Sequence, residues 1–125
     1  MKSLCLASLI LLSLALTVEA QSTGSATLAW NPVTDTNSVS AITYKFYQGT
    51  ASGVYTTTNS VGTNLMFTAN TLNRGVTYYF AVTAVGTYRV GTNTTTLESG
   101  FSSEVSYQVP FPPPPPTTLT IISGN

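Results

Sequence analysis

The fold class that this sequence predicts is an all-β antiparallel sandwich, and two observations predict it. In the stretch 72–84, Tyr78, Phe80, Val82 and Ala84 alternate with Tyr79, Ala81 and Thr83, a period of two that sends one set to each face of a strand. Runs of this kind recur along the chain at short spacing, separated by Gly, Asn, Pro and Ser turn signals, and no stretch shows a helical period. Just ahead of the 77–85 strand, Leu72, Gly75 and Tyr78 supply an apolar anchor, a turn residue that tolerates positive φ, and a phenol able to bond back to the corner backbone.

Residues 1–20 read as a signal peptide. Met1 and Lys2 give a positive start, residues 4–16 an apolar run too short to span a bilayer comfortably, and Val18-Glu19-Ala20 the small residues of a cleavage site before Gln21. A retained anchor is the alternative. The expected compartment is secreted, extracellular or cell-surface, with no membrane span left after cleavage. Cys5, the single cysteine, leaves with the leader, so the remaining chain must be stabilised by packing alone.

The first strand is expected over 26–31, with Ala26, Leu28 and Trp30 inward and Asn31-Pro32 ending it. Trp30 is the expected centre of the core. A polar loop, 33–40, leads to a strand over 41–48 carrying Ile42, Tyr44 and Phe46 on one face. Residues 49–53 form a turn, 54–58 a short polar edge strand, and 59–63 a second turn. A strand over 64–70, with Leu65, Phe67 and Ala69 in phase, runs into the Leu72 corner and the 77–85 strand. A loop, 86–99, precedes the last strand, 101–109, in which Val105, Tyr107 and Val109 are in phase. The predicted core is Leu28, Trp30, Tyr44, Phe46, Leu72, Tyr78, Phe80 and Val82.

Four pieces in this order and spacing carry a resemblance: Leu28-Ala29-Trp30-Asn31-Pro32, Tyr44-Lys45-Phe46-Tyr47, the 72–84 stretch, and Glu98-Ser99-Gly100-Phe101-Ser102-Ser103-Glu104-Val105. Together they make residues 21–110 similar to the fibronectin type III family, an immunoglobulin-like antiparallel β-sandwich whose strands are lettered A to G. By that resemblance the strands above look like B, C, C′, E, F and G. Arg74 stands where the family has a proline before the corner glycine, and Ala69 is a small core residue; both should loosen packing slightly. Strand A is short or missing, because only 21–25 precede strand B, which leaves an open edge there.

Residues 111–116 form a proline-rich linker, and 117–125 a β-prone tail with Leu119, Ile121 and Ile122, similar to an opening strand A. Three readings of this tail stand side by side. It is an unstructured end or the stub of a truncated second module; it folds back on its own domain; or it crosses to the next molecule and adds there as strand A.

Composition narrows the function. The chain is only 6% charged, has no His and carries zero net charge, so nucleic acid is not an expected partner. Beyond the leader there is one Asp and two Glu, with no His or Cys, so no nucleophile has a base beside it and no metal or cofactor set is present; the chain reads as no enzyme. Glu98 and Glu104, the one sequence-near carboxylate pair, read as solvated charges rather than a glycosidase pair. Tyr88 and Arg89, in the 86–99 loop, form the candidate partner-binding loop, with a packed loop base as the alternative. Arg89 is followed by Val90-Gly91, so integrin-type recognition is unsupported. Asn93-Thr94-Thr95 is a glycosylation sequon in form. Tyr47 and Tyr79 point outward from neighbouring strands, where they stack a sugar or cover a sheet face.

The function these readings favour is a secreted, non-catalytic fibronectin type III-like module for extracellular adhesion, scaffolding or accessory binding of a protein or polysaccharide. The alternatives are a structural subunit that self-assembles head to tail by donating 117–125 as strand A of the next molecule, and a carbohydrate-binding module.

Overall fold

A computed structural model describes residues 23–125. The expected signal peptide lies outside the described residues. The chain forms β1 (Thr23–Ala29), β2 (Thr43–Gly49), β3 (Thr57–Gly62), β4 (Met66–Asn73), β5 (Thr77–Val90), β6 (Asn93–Glu98) and β7 (Val105–Gln108). All pairings are antiparallel: β1 with β4 in one sheet, and β3-β2-β5 in the other, with β6 and β7 both on the free side of β5. The architecture is the all-β antiparallel sandwich that the alternation predicts.

Phe46 occupies the centre of the core, fully buried, with the rings of Phe67 at 4.7 Å, Phe80 at 5.5 Å and Trp30 at 6.5 Å. Tyr44, Leu72, Tyr78, Val61, Ala69 and Val109 complete the buried cluster. Leu28, Trp30 and Val82 pack against it but stay partly exposed. Trp30 is therefore not the centre expected of it. It sits just past the end of β1, where a two-stranded sheet covers the core on one side only.

The corner forms as its residues dictate. Gly75 sits at φ 77°, a region open to glycine at little cost, and the Asn73 amide donates to the Tyr78 hydroxyl at 2.9 Å.

Several boundaries depart from expectation: β1 is 23–29 rather than 26–31 and β2 43–49 rather than 41–48, and the larger differences that follow have local reasons. The third strand is 57–62 rather than 54–58, and its second half replaces the turn expected at 59–63. Val54 is spent closing a tight turn onto Ala51, and Val61 is the apolar residue that anchors β3 in the core. β4 runs over 66–73 instead of 64–70, and continues through a bulge where Thr71 adopts φ 57°. The expected 86–99 loop is a hairpin: β5 continues to Val90, turns at Gly91-Thr92 and returns as β6. Its Thr, Tyr and Val content suits strands, and Gly91 at φ 65° suits the two-residue turn.

The last strand is the short β7, since 99–104 leave regular pairing. There the Ser99 and Ser102 hydroxyls accept the Ala84 and Val82 amides at 2.9 and 3.0 Å, while the Ser99 and Ser102 amides donate to the same two residues' carbonyls. Side chains thus bridge the gap, and β6 and β7 act as one interrupted edge strand.

Candidate functional site

β1 carries β4 on one side, and among the described residues no strand lies on the other. Pairing in an antiparallel ladder alternates, so the Trp30 amide bonded to the Leu65 carbonyl at 2.9 Å assigns Leu28 and Trp30 to the β4 side. Thr27 and Ala29 accordingly turn their amides and carbonyls toward the free side. Ala26, Leu28 and Trp30 point their side chains inward, and Thr27 and Ala29 outward.

Across from this edge stands β7. Val105 and Tyr107 pair with Phe80 and Tyr78 and share their core-facing side, yet they remain 50% and 38% exposed. The cause is geometric: β7 is stacked over a place where, among the described residues, the other sheet has no strand. A groove results between β1 and β7. Its middle sections, of about 380 and 280 Å³, run past Leu28, Phe80, Val105 and Tyr107 toward Trp30. Each is far larger than the roughly 30 Å³ share of one water in the liquid, so each has room for an apolar side chain. At the other end, near Thr23, the lining turns polar, with Asn70, Thr71 and Arg74.

The chain leaves the sandwich at this polar end. Val109 is buried there, its carbonyl accepting the Gly75 amide at 2.7 Å; Arg74 Nη1 donates to the Pro110 carbonyl at 2.9 Å. The Phe111 ring lies against the Gly75 α-carbon, so close that a Cβ there would sit 2.2 Å from Phe111 Cζ. From Pro110 onward every residue is exposed, including Leu119 (98%), Ile121 (90%) and Ile122 (98%).

The outer face of the larger sheet holds the carboxylates. Glu98 accepts hydrogen bonds from Thr83 Oγ1 at 2.6 Å, the Tyr47 hydroxyl, and Lys45 Nζ at 2.9 Å. These donors, Thr83 first, hold its pKa down at about 2. Glu104 accepts from Ser52 Oγ, the Tyr55 hydroxyl and the Gly53 amide, which also lower its pKa, Ser52 most. Burial, then the Glu104 bond, pushes the Tyr55 phenol up to about 12. Both carboxylates, expected as solvated charges, are thus tethers that bind 98–104 to the sheet and the 50–56 turn. Phe101 closes the set, its ring 4.9 Å from those of Tyr47 and Tyr55.

Tyr47 therefore spends its ring on Tyr55 and Phe101 and its hydroxyl on Glu98, while Tyr79 faces Gly49 across the ladder. Tyr88 and Arg89 lie on β5 near its hairpin end rather than in a loop. The Tyr88 hydroxyl donates to Asp35, tying the 33–40 loop to the hairpin, and Val39 adds an amide bond to Thr87 at 2.8 Å. Arg89 is exposed opposite Thr94. Asn93 is exposed at the start of β6. Among the described residues no three of Asp, Glu, His and Cys come together as a metal set.

Sequence reasoning placed Val105 and Tyr107 in phase on the last strand but assigned none of the groove walls Thr27, Ala29, Val105 and Tyr107 to a site. The signal for them was present: Val105 and Tyr107 are in phase with the core face, on a strand that a missing neighbour leaves uncovered. No protein-family profile, curated protein or solved structure matches this chain.

Proposed function

We propose that the chain is a secreted, non-catalytic fibronectin type III-like module whose adhesive or scaffolding work is the capture of an extended peptide strand along the free edge of β1. One observation carries the reading. Core-facing Val105 and Tyr107 stand exposed across from a backbone edge whose Thr27 and Ala29 amides and carbonyls have no strand of the described residues beside them. An added strand pairs its backbone with that edge and inserts alternate side chains into the groove. The leader-like residues 1–20 support export, and the hydrogen bonds that lower the pKa of Glu98 and Glu104 argue against either acting as a general acid.

The test is selection of displayed random nonapeptides on the immobilised chain carrying Leu119→Asp, with Ala29→Pro as the blocked control. The Ala29 amide faces the free side, so proline there removes no bond to β4 while spoiling the edge. Peptides with alternating apolar residues that bind the first protein and lose binding to the second support strand capture. Recovery of no such peptides, or equal binding to both proteins, refutes it.

A further inference from the structure

Resting on that reading, we infer that the strand captured at the β1 edge is residues 117–125 of a second copy of this chain, laid antiparallel to β1 in a head-to-tail array.

The path of the tail argues against its own groove. The chain departs at the Thr23 end of β1, pinned by Gly75, Arg74 and Phe111, and then meets Pro112 to Pro116. Polyproline advances about 3.1 Å per residue and stays stiff over several residues, so 111–116 spans about 19 Å, and Leu119, Ile121 and Ile122 beyond it are exposed rather than laid in the chain's own groove. To reach its own β1 the tail would have to double back through that segment, and it would then run parallel to β1. A second copy of the same polarity, stacked beyond that end, presents the Trp30 end of its groove. There the tail enters antiparallel, the better-bonded arrangement.

Length, punctuation and side-chain size agree on one register. β1 spans seven residues; a seven-residue tail strand, 117–123, covers the same distance of about 24 Å at about 3.4 Å per residue. Pro32 closes β1 at the Trp30 end, and Pro116 opens the tail strand; neither has an amide to give a ladder, so both mark the same limit of pairing. Placing Pro116 beside Asn31, one residue inside that limit, keeps Leu119 and Ile121 on the core-facing side and sets Thr117 beside Trp30, Leu119 beside Leu28, Ile121 beside Ala26 and Ser123 beside Gly24. Thr117 beside Trp30 and Ile121 beside Ala26 each set a small residue against a large one. Leu119 and Ile121 then face Phe80, Val105 and Tyr107 in the groove, and the polar 123–125 reach its polar end at Asn70, Thr71 and Arg74. On the outer face Thr120 falls beside Thr27, whose hydroxyl already meets that of Thr68 at 2.8 Å, extending a threonine row across three strands. Ile122 lies on that outer face beside Ser25. A donor at one end and an acceptor along one side form a heterologous contact, which repeats into a filament rather than closing.

The experiment uses the chain from Gln21 to Asn125, which contains no cysteine. Two singly substituted proteins, Thr27→Cys and Thr120→Cys, are mixed under mild oxidation; in the proposed register their α-carbons lie about 5.5 Å apart, inside the disulfide range of about 4.4–6.8 Å. Thr118→Cys in place of Thr120→Cys is the register control. Light scattering follows the unsubstituted chain and Leu119→Asp across a concentration series. A Thr27→Cys/Thr120→Cys heterodimer favoured over the control, with assembly that grows with concentration and is lost in Leu119→Asp, is the expected result. Leu119 is fully exposed, so that variant keeps the fold. Monomers at every concentration, homodimers of Thr27→Cys alone, or assembly indifferent to Leu119→Asp overturns the inference. If these fail while nonapeptides still bind the Leu119→Asp chain, strand capture stands and the occupant is another protein; if both fail, both readings fall.

Discussion

Gly75→Ala is the substitution whose cost can be worked most fully, because two separable effects meet at one α-carbon. The backbone there is at φ 77°, and an L side chain held in that region costs about 1–2 kcal/mol. The new Cβ also meets the Phe111 ring at 2.2 Å, so the ring must move. Phe111 is 73% exposed, so displacing it forfeits roughly a quarter of a phenylalanine's burial, about 0.5 kcal/mol. The sum is about 1.5–2.5 kcal/mol, or a fall in Tm of roughly 6–15 °C for a sandwich of this size. Gly53→Ala is the internal control, since Gly53 is also at positive φ, 72°, but a Cβ there meets nothing within 4 Å. Urea denaturation followed by the fluorescence of Trp30, the single tryptophan, should show Gly75→Ala costing more than Gly53→Ala. In the cycle with Phe111→Ala, the double variant should cost less than the sum of its parts, because the clash is removed once and not twice. Equal costs for the two glycine variants, or strict additivity in the cycle, would refute the claim that Phe111 is seated on this corner.

Three further outcomes are expected. Tyr78→Phe leaves the part-buried Asn73 amide without its acceptor and should cost about 1–3 kcal/mol in urea denaturation; a cost under about 0.5 kcal/mol would discount the corner bond. Glu98 has its pKa lowered from 4.5 to about 2, so its contribution is present above pH 4.5 and is lost as the pH falls toward 2. After allowance for solvent screening that contribution is of the order of 1 kcal/mol, and Glu98→Gln should flatten the pH dependence of stability in this window. Thr71 holds a β-branched side chain at φ 57°, so Thr71→Gly should raise stability by about 1 kcal/mol or leave it level; a clear loss would mean that its side chain supports the bulge.

The sequence by itself determined the sandwich and the tyrosine corner. Both rest on local physics: a period of two that only strands satisfy, and a glycine placed where φ must be positive. The tail's β-prone composition and its proline punctuation were legible for the same reason. Tertiary structure alone decided where pairing starts and stops. The Thr-rich stretches 54–63 and 86–99 suit strand and turn about equally, and register was settled by which residue could be buried, Val61 in β3, and by where a two-residue turn fitted, at Gly91-Thr92. It also decided that Glu98 and Glu104 are tethers, since their partners lie 15 to 53 residues away. The groove emerged only there too. Val105 and Tyr107 read as core residues along β7, and whether a core-facing side chain is buried depends on what the other sheet places across from it, which no strand's own pattern contains.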